Sequence, residues 1–305
     1  MRRLLGGLVI GALVVTGCGS SDPTTTGSTS PEQAQLAAAT SVRVVAAGDI
    51  ACPASWPTTR KQCRQAATAR VARALNPAQV IALGDLQYQK GRYRAFKRSY
   101  HKSWGKLRSI TWPVPGNHEY ETTGARGYFR YFQYRQPGPP GWYRRSLNGW
   151  ELYFLNSNCN KVDCASQRAW LDSEMASHPS TCSLVAFHHP RYSSGEHGGK
   201  RGMYRFWAIA DKHGADLALS GHDHDYERFA PMDALGQADP NGIRQFVSGG
   251  GGKNLYPKAT SAPGSEVFRK RFGVLELNLT PTGYSWRFVS PNLRVRDSGS
   301  ALCRT

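Results

Sequence analysis

Five short apolar runs in this chain break off at polar residues, and a glycine stands at four of those breaks. Val42 to Ala47 runs into Gly48-Asp49, and Val80 to Leu83 into Gly84-Asp85. Ile110 to Val114 leads to Pro115-Gly116-Asn117-His118, Ser183 to Phe187 to His188-His189, and Ala215 to Leu219 to Gly221-His222-Asp223-His224. Stretches with helical spacing lie between them: Gln62 to Leu75, Gly91 to Trp104, Ser166 to Ser177 and Arg201 to His213. Such alternation is the signature of β-α-β units. In sheets of that kind ligands gather outside the carboxyl ends of the strands. Asp49, Asp85 with Tyr88, Asn117 with His118, His188, and His222 with His224 are therefore expected to converge on one site.

The donor types at those ends restrict the chemistry. Carboxylate, phenol, amide oxygen and imidazole form a mixed O/N set, unlike the thiolate set of a structural zinc site. The set can fill two octahedral or five-coordinate first-row metal positions. Two competing signatures are missing. Gly249 to Gly252 lacks the P-loop spacing and reads as a loop rimming the site, and no G-x-S-x-G elbow is present. Asn148-Gly149 between Trp142–Leu147 and Glu151–Leu155 marks a hairpin, and the chain beyond Arg228 reads as β. No boundary interrupts 42–305, which is read as one domain.

Charged residues make up 20% of the chain and hydrophobics 40%, a globular balance. The net charge of +18 is scattered, without a basic run that would mark a nucleic-acid tail, so no specific nucleic-acid partner is expected. Such a field favours anionic ligands, including phosphate esters, nucleotides and acidic envelope polymers. Arg2 and Arg3 precede an apolar stretch, Leu4 to Val15, too short to span a bilayer comfortably, so it reads as a signal peptide. Val15-Thr16-Gly17-Cys18 resembles a bacterial lipobox. That resemblance implies a signal over 1–17, lipidation of Cys18, a Ser/Thr/Pro-rich tether over 18–41 and a lipid anchor at the outer face of a bacterial membrane. An exported chain with six further cysteines and no C-x-x-C pair is expected to form disulfides. Local closure favours Cys52–Cys63 and Cys159–Cys164, leaving Cys182 for Cys303, one of about fifteen connectivities open to six cysteines.

The ordered set Gly48-Asp49, Gly84-Asp85, Gly116-Asn117-His118-Glu119, His188 and Gly221-His222-Asp223-His224 resembles the motifs of calcineurin-like metallophosphoesterases. The first block, Asp49-Ile50-Ala51, lacks the histidine of most of that superfamily. The second, Gly84-Asp85-Leu86-Gln87-Tyr88, is similar to the Gly-Asp-x-x-Tyr block of purple acid phosphatases, as Val185-Ala186-Phe187-His188 is to their Val-x-x-His block. The resemblance implies an α/β fold, a β-sandwich of two mixed sheets flanked by helices. It also implies an Fe(III) site of Asp49, Tyr88 and His224, a divalent site (Fe, Zn or Mn) of Asn117, His188 and His222, and Asp85 bridging the ions. His118 and His197 are the implied substrate-facing histidines, with His189 packing behind His188. The implied reaction is hydrolysis of small phosphate monoesters by hydroxide generated at two metals about 3.5–4 Å apart, with His118 or His197 as general acid. A phosphodiesterase or nucleotidase on the same site is the nearest alternative. An envelope-binding lipoprotein, keeping the metals only for structure, is the non-enzymatic one.

Overall fold

The computed structural model describes residues 41–304. The expected signal peptide, the lipidation site Cys18 and the tether up to residue 40 lie outside the described residues. Chain order begins with β1 (Val42–Ala47), α1 (Gln65–Ala74), β2 (Gln79–Leu83), α2 (Tyr93–Arg98) and β3 (Thr111–Val114). The helices α3 (Asn117–Tyr120) and α4 (Arg126–Tyr131) follow, then the hairpin β4 (Tyr143–Leu147) and β5 (Trp150–Phe154). The middle of the chain supplies α5 (Cys164–Ser177), β6 (Cys182–Ala186), α6 (Tyr204–Lys212) and β7 (Leu217–Ser220). Strands β8 (Tyr226–Met232), β9 (Ile243–Ser248), β10 (Ser265–Arg269), β11 (Val274–Thr280), β12 (Gly283–Val289) and β13 (Val295–Leu302) complete it.

The strands form two mixed sheets, ordered β13-β12-β11-β1-β2-β3 and β10-β8-β9-β7-β6-β5-β4. The parallel pairs are β1–β2–β3 in one and β5–β6–β7–β9 in the other. Alternation along the strands explains why these runs are apolar throughout. Val44 and Ala46 face the second sheet in a shared core with Leu152, Leu184 and Leu219, whereas Val45 and Ala47 face outward onto Val71, Phe96 and Tyr128. On the other side Tyr153, Val185 and Phe187 pack beneath Leu171, Phe206 and Trp207 of α5 and α6. Strands covered on both faces have no solvent side to mark with polar residues. The result is a sandwich of two mixed sheets with helices on both outer faces, as the resemblance implied.

Three disulfides join the expected partners Cys52–Cys63, Cys159–Cys164 and Cys182–Cys303. The last closes a separation of 121 residues and ties the end of β13, in one sheet, to the start of β6, in the other. Loop-closure entropy puts the contribution of such a link at about 4–5 kcal/mol.

One expected helix is corrected. The stretch 91–104 is not continuous: after α2 it tightens into 3-10 turns at Tyr100–Lys102 and Trp104–Ile110. Distant partners overrule its helical spacing. Ser99 Oγ donates to Cys52 O (2.6 Å), Tyr100 N to Gln87 Oε1 (3.0 Å) and Trp104 Nε1 to Thr68 Oγ1 (3.2 Å). Phe96, Tyr100 and Trp104 are all fully buried, so the chain bends to bring each of them to the core.

Candidate metal centre

The five strand ends meet along the edge where β1, β2 and β3 face β6 and β7. Asp49 and Asp85 follow their strands in left-handed conformations (φ 58° and 50°), which turn both carboxylates into the space between the sheets. Gly116 makes the approach from β3 possible, because a Cβ there would sit 2.1 Å from Asp85 Oδ1. The Gly249–Gly252 loop does line the site: Gly251 N donates to Gly48 O and Lys253 N to Asp49 O.

The expected donors fall into two triads. Tyr88 Oη lies 2.8 Å from Asp49 Oδ1 and 2.9 Å from His224 Nε2, and His224 Nε2 is 3.3 Å from Asp49 Oδ1. In the second triad His188 Nε2 is 3.1 Å from Asn117 Oδ1 and 3.2 Å from His222 Nδ1. Asp85 stands between them, with Oδ2 3.1 Å from Tyr88 Oη and Oδ1 3.5 Å from His188 Nε2. An octahedron with bonds of about 2.1 Å has edges of about 3 Å, so both triads have the spacing of ligands sharing a cation. Tautomers agree with that use. His188 Nδ1 donates to Leu83 O (2.8 Å) and His224 Nδ1 to Asn254 Oδ1 (3.1 Å), which leaves each Nε2 lone pair aimed inward. His222 presents Nδ1 instead.

The electrostatics ask for positive charge. Burial opposes the charging of His188, yet the Asp85 carboxylate 3.5 Å away dominates and raises it to about 9. Burial likewise opposes ionisation of Asp85, and His188 and His118 overcome it, holding the carboxyl far below its usual range. Burial, then Asp49 and Asp85, push the Tyr88 phenol well above its ordinary value. A phenolate therefore forms here only against a strongly Lewis-acidic ion, and the residues present fit a pair of cations, one of them hard.

The two histidines expected to face substrate lie on the rim. His118 N donates to Asp85 Oδ1 (2.9 Å), its Nδ1 meets Gln89 O (2.6 Å), and its Nε2 points back toward Asp85 Oδ2 at 3.8 Å. His197 is exposed and stacks on His222 with ring centroids 4.6 Å apart. His189 is buried, its Nδ1 lies 2.8 Å from Ser157 Oγ, and it packs on His188 and His222; burial holds it well below the usual imidazole value. Its place is behind the centre, as expected.

Four residues of the site were not foreseen from sequence. Glu119, fully buried, accepts N–H bonds from Asp85, Leu86, Gln87 and Gly116 at 2.8–3.3 Å and thereby holds the second strand end against the third. Burial and the Asp85 carboxylate push its pKa up to about 8, against the pull of its N–H donors. Asp223, between the two ligands His222 and His224, accepts from His197 N (2.8 Å) and Ser193 Oγ (2.5 Å) and so anchors the loop that carries His197. Tyr256 stacks on His224 at 4.1 Å and meets His197 edge-on at 5.2 Å, closing an aromatic arch over both triads. Lys253 Nζ lies 5.1 Å from the Tyr88 ring centroid. The available signal was only the nearness of Glu119 and Asp223 to the motifs, and of Lys253 and Tyr256 to the Gly249–Gly252 loop.

The sequence profile of the Calcineurin-like phosphoesterase family matches residues 42–226. Rattus norvegicus tartrate-resistant acid phosphatase type 5 is 25% identical over 249 residues, 70% of this chain and 74% of the relative. Arabidopsis thaliana Fe(3+)-Zn(2+) purple acid phosphatase 12 is 27% identical over 259 residues, 70% of this chain and 54% of the relative. Among solved structures, purple acid phosphatase PPD1 from yellow lupin (Lupinus luteus) superposes with a TM-score of 0.68 at 18% identity, covering 85% of this chain and 53% of its own, which supports the shared fold.

Proposed function

Because the chain belongs to the calcineurin-like phosphoesterase family, we propose that it hydrolyses phosphate monoesters at a two-metal centre of the purple acid phosphatase kind. The observation that carries this reading is the division of seven donor side chains into two triads hinged on Asp85. Asp49, Tyr88 and His224 would hold a trivalent ion, Fe(III), since carboxylate and phenolate suit a hard cation. Asn117, His188 and His222 would hold a divalent ion such as Fe, Zn or Mn, with Asp85 shared. Ions so held supply Lewis-acid charge at the phosphoryl oxygens and lower the pKa of the attacking water.

The chain's own residues do the rest. Asp85, held by Glu119 through the backbone of its loop, keeps the triads at a fixed separation. His118 faces the centre with Nε2 3.8 Å from Asp85 Oδ2, which places that nitrogen to serve as general acid toward the leaving alkoxide. His197, anchored through its backbone by Asp223, offers a second imidazole N–H to a phosphoryl oxygen from the opposite side. The arginine-rich surface draws anionic esters toward the rim.

The test is to load the protein with iron, zinc or manganese, record its visible spectrum and assay p-nitrophenyl phosphate beside bis-p-nitrophenyl phosphate. The reading expects faster turnover of the monoester and a tyrosinate-to-iron band that disappears in Tyr88→Phe. Activity with zinc or manganese, but no band with iron, would remove the ferric assignment alone. No turnover with any metal would remove the enzymatic reading. We further propose export and lipid anchoring through Cys18; the Arg2-Arg3 and Leu4 to Val15 pattern supports this, as do disulfides of a kind that persist in oxidising compartments. Palmitate labelling that is the same in Cys18→Ser would overturn it.

A further inference from the structure

We propose that a pocket formed by Arg92, Arg94, Arg126 and Arg130 binds the distal phosphate of a bisphosphorylated substrate whose scissile phosphate lies at the metal centre. This rests on the phosphoesterase reading and adds a substrate class to it. The pocket is a cavity of about 710 Å³ between the loop that follows Tyr88 and the helical segment that follows Asn117. Arg92 precedes α2 and Arg94 lies in its first turn, while Arg126 and Arg130 are four apart on α4 and share one face. Four guanidinium groups thus meet one carboxylate, Glu121, on the lining. None of the four forms an ion pair with a described carboxylate, as is true of most described arginines, so their charges are open to a ligand. Planar N–H forks of this type match phosphate oxygens in pairs.

The pocket is built rather than incidental. Its walls touch backbone to backbone: a Cβ on Gly127 would sit 2.1 Å from Gly91 O and 2.6 Å from Tyr93 N. Thr122 Oγ1 donates to Lys90 O across the same seam, and the Arg130 guanidinium carbon lies 4.2 Å from the Tyr93 ring centroid. Those contacts fix the backbone segments that carry the two arginine pairs before any ligand arrives.

Both walls grow directly out of the metal centre, and this sets the length of the ligand. Glu121 follows Asn117 by four residues of helical chain, about 6 Å at 1.5 Å per residue. Arg92 follows Tyr88 by four residues, at most about 14 Å of extended chain. The walls that carry the arginines thus begin within about 14 Å of chain from the metal-centre donors, a span that a short bisphosphate can bridge. A bisphosphate on a sugar or a short carbon chain separates its two phosphates on that scale.

The experiment compares hexane-1,6-diol bisphosphate with hexyl phosphate at fixed ionic strength, since the two differ only in the second phosphate. We expect kcat/KM at least tenfold higher for the bisphosphate, carried by KM, and a ratio near one in Arg126→Ala/Arg130→Ala, whose folding is checked by its Tm. A ratio near one in the native protein, or a preference that survives in the double variant, overturns the proposal. If neither ester is hydrolysed with any metal, the phosphoesterase reading has failed instead. Calorimetric titration of the same preparation with the bisphosphate then decides the pocket. Saturable binding that the double variant loses supports it, and absent or unchanged binding overturns it.

Discussion

Replacing Glu119 with glutamine swaps one of two buried carboxylate oxygens for an NH2 group. In the native protein Oε2 accepts from Asp85 N (2.9 Å) and Gly116 N (2.8 Å), and Oε1 accepts from Leu86 N (3.0 Å) and Gln87 N (3.3 Å). Whichever oxygen is lost, two buried backbone donors then face another donor. Above about pH 8, where the Glu119 carboxyl is ionised and both oxygens accept, each stranded group costs about 1–3 kcal/mol, so the variant should lose roughly 3 kcal/mol of stability. For a chain of this size that corresponds to a fall in Tm of about 6–10 °C. The loop released is the one that carries Asp85 and Tyr88, so metal affinity should fall about 10- to 100-fold, the usual loss when a group supporting a ligand is removed. Differential scanning calorimetry of the metal-free protein and competitive metal titration measure the two effects separately. A Tm within about 1 °C of the native value, with unchanged metal affinity, would refute the role assigned to Glu119.

Two other expectations follow from named contacts. Because Asp223 acts through the loop bearing His197, Asp223→Ala and His197→Ala should each lower kcat/KM about tenfold, and the double variant should be little worse than either. Additive losses would separate the two residues. Asp216 accepts from Ser183 N (2.7 Å) and Arg304 N (2.6 Å), yet burial outweighs both and raises its carboxyl to about 6. A folded-state value above the unfolded one near 3.9 means that its contribution to stability is present below about pH 4 and is lost as pH rises through about 6. Relative to Asp216→Asn, the native protein should lose about 2–3 kcal/mol between pH 4 and pH 6.5 in urea unfolding. A difference independent of pH would contradict this.

The sequence by itself determined the order of the five parallel strand ends and the kind of donor at each. Both are local properties: an apolar run of strand length, a glycine where the chain must turn, and a polar residue beyond it. Short spacings and a remainder pointed to one pairing of the cysteines among about fifteen, and the structure has that one. What those donors do to one another was decided only in three dimensions. Tyr88 meets Asp49 across 39 residues and His224 across 136, and no spacing rule reaches that far. Glu119 and Asp223 stayed silent for the same reason, since their partners, Ser193 Oγ apart, are backbone N–H groups, which every non-proline residue carries and which leave no mark in a sequence. The helix expected through 91–104 broke because Gln87, Cys52 and Thr68, all distant in the chain, outbid its local spacing. The arginine pocket arose when two segments that leave the metal centre separately were pressed together at Gly91 and Gly127, gathering charges that the sequence had only scattered.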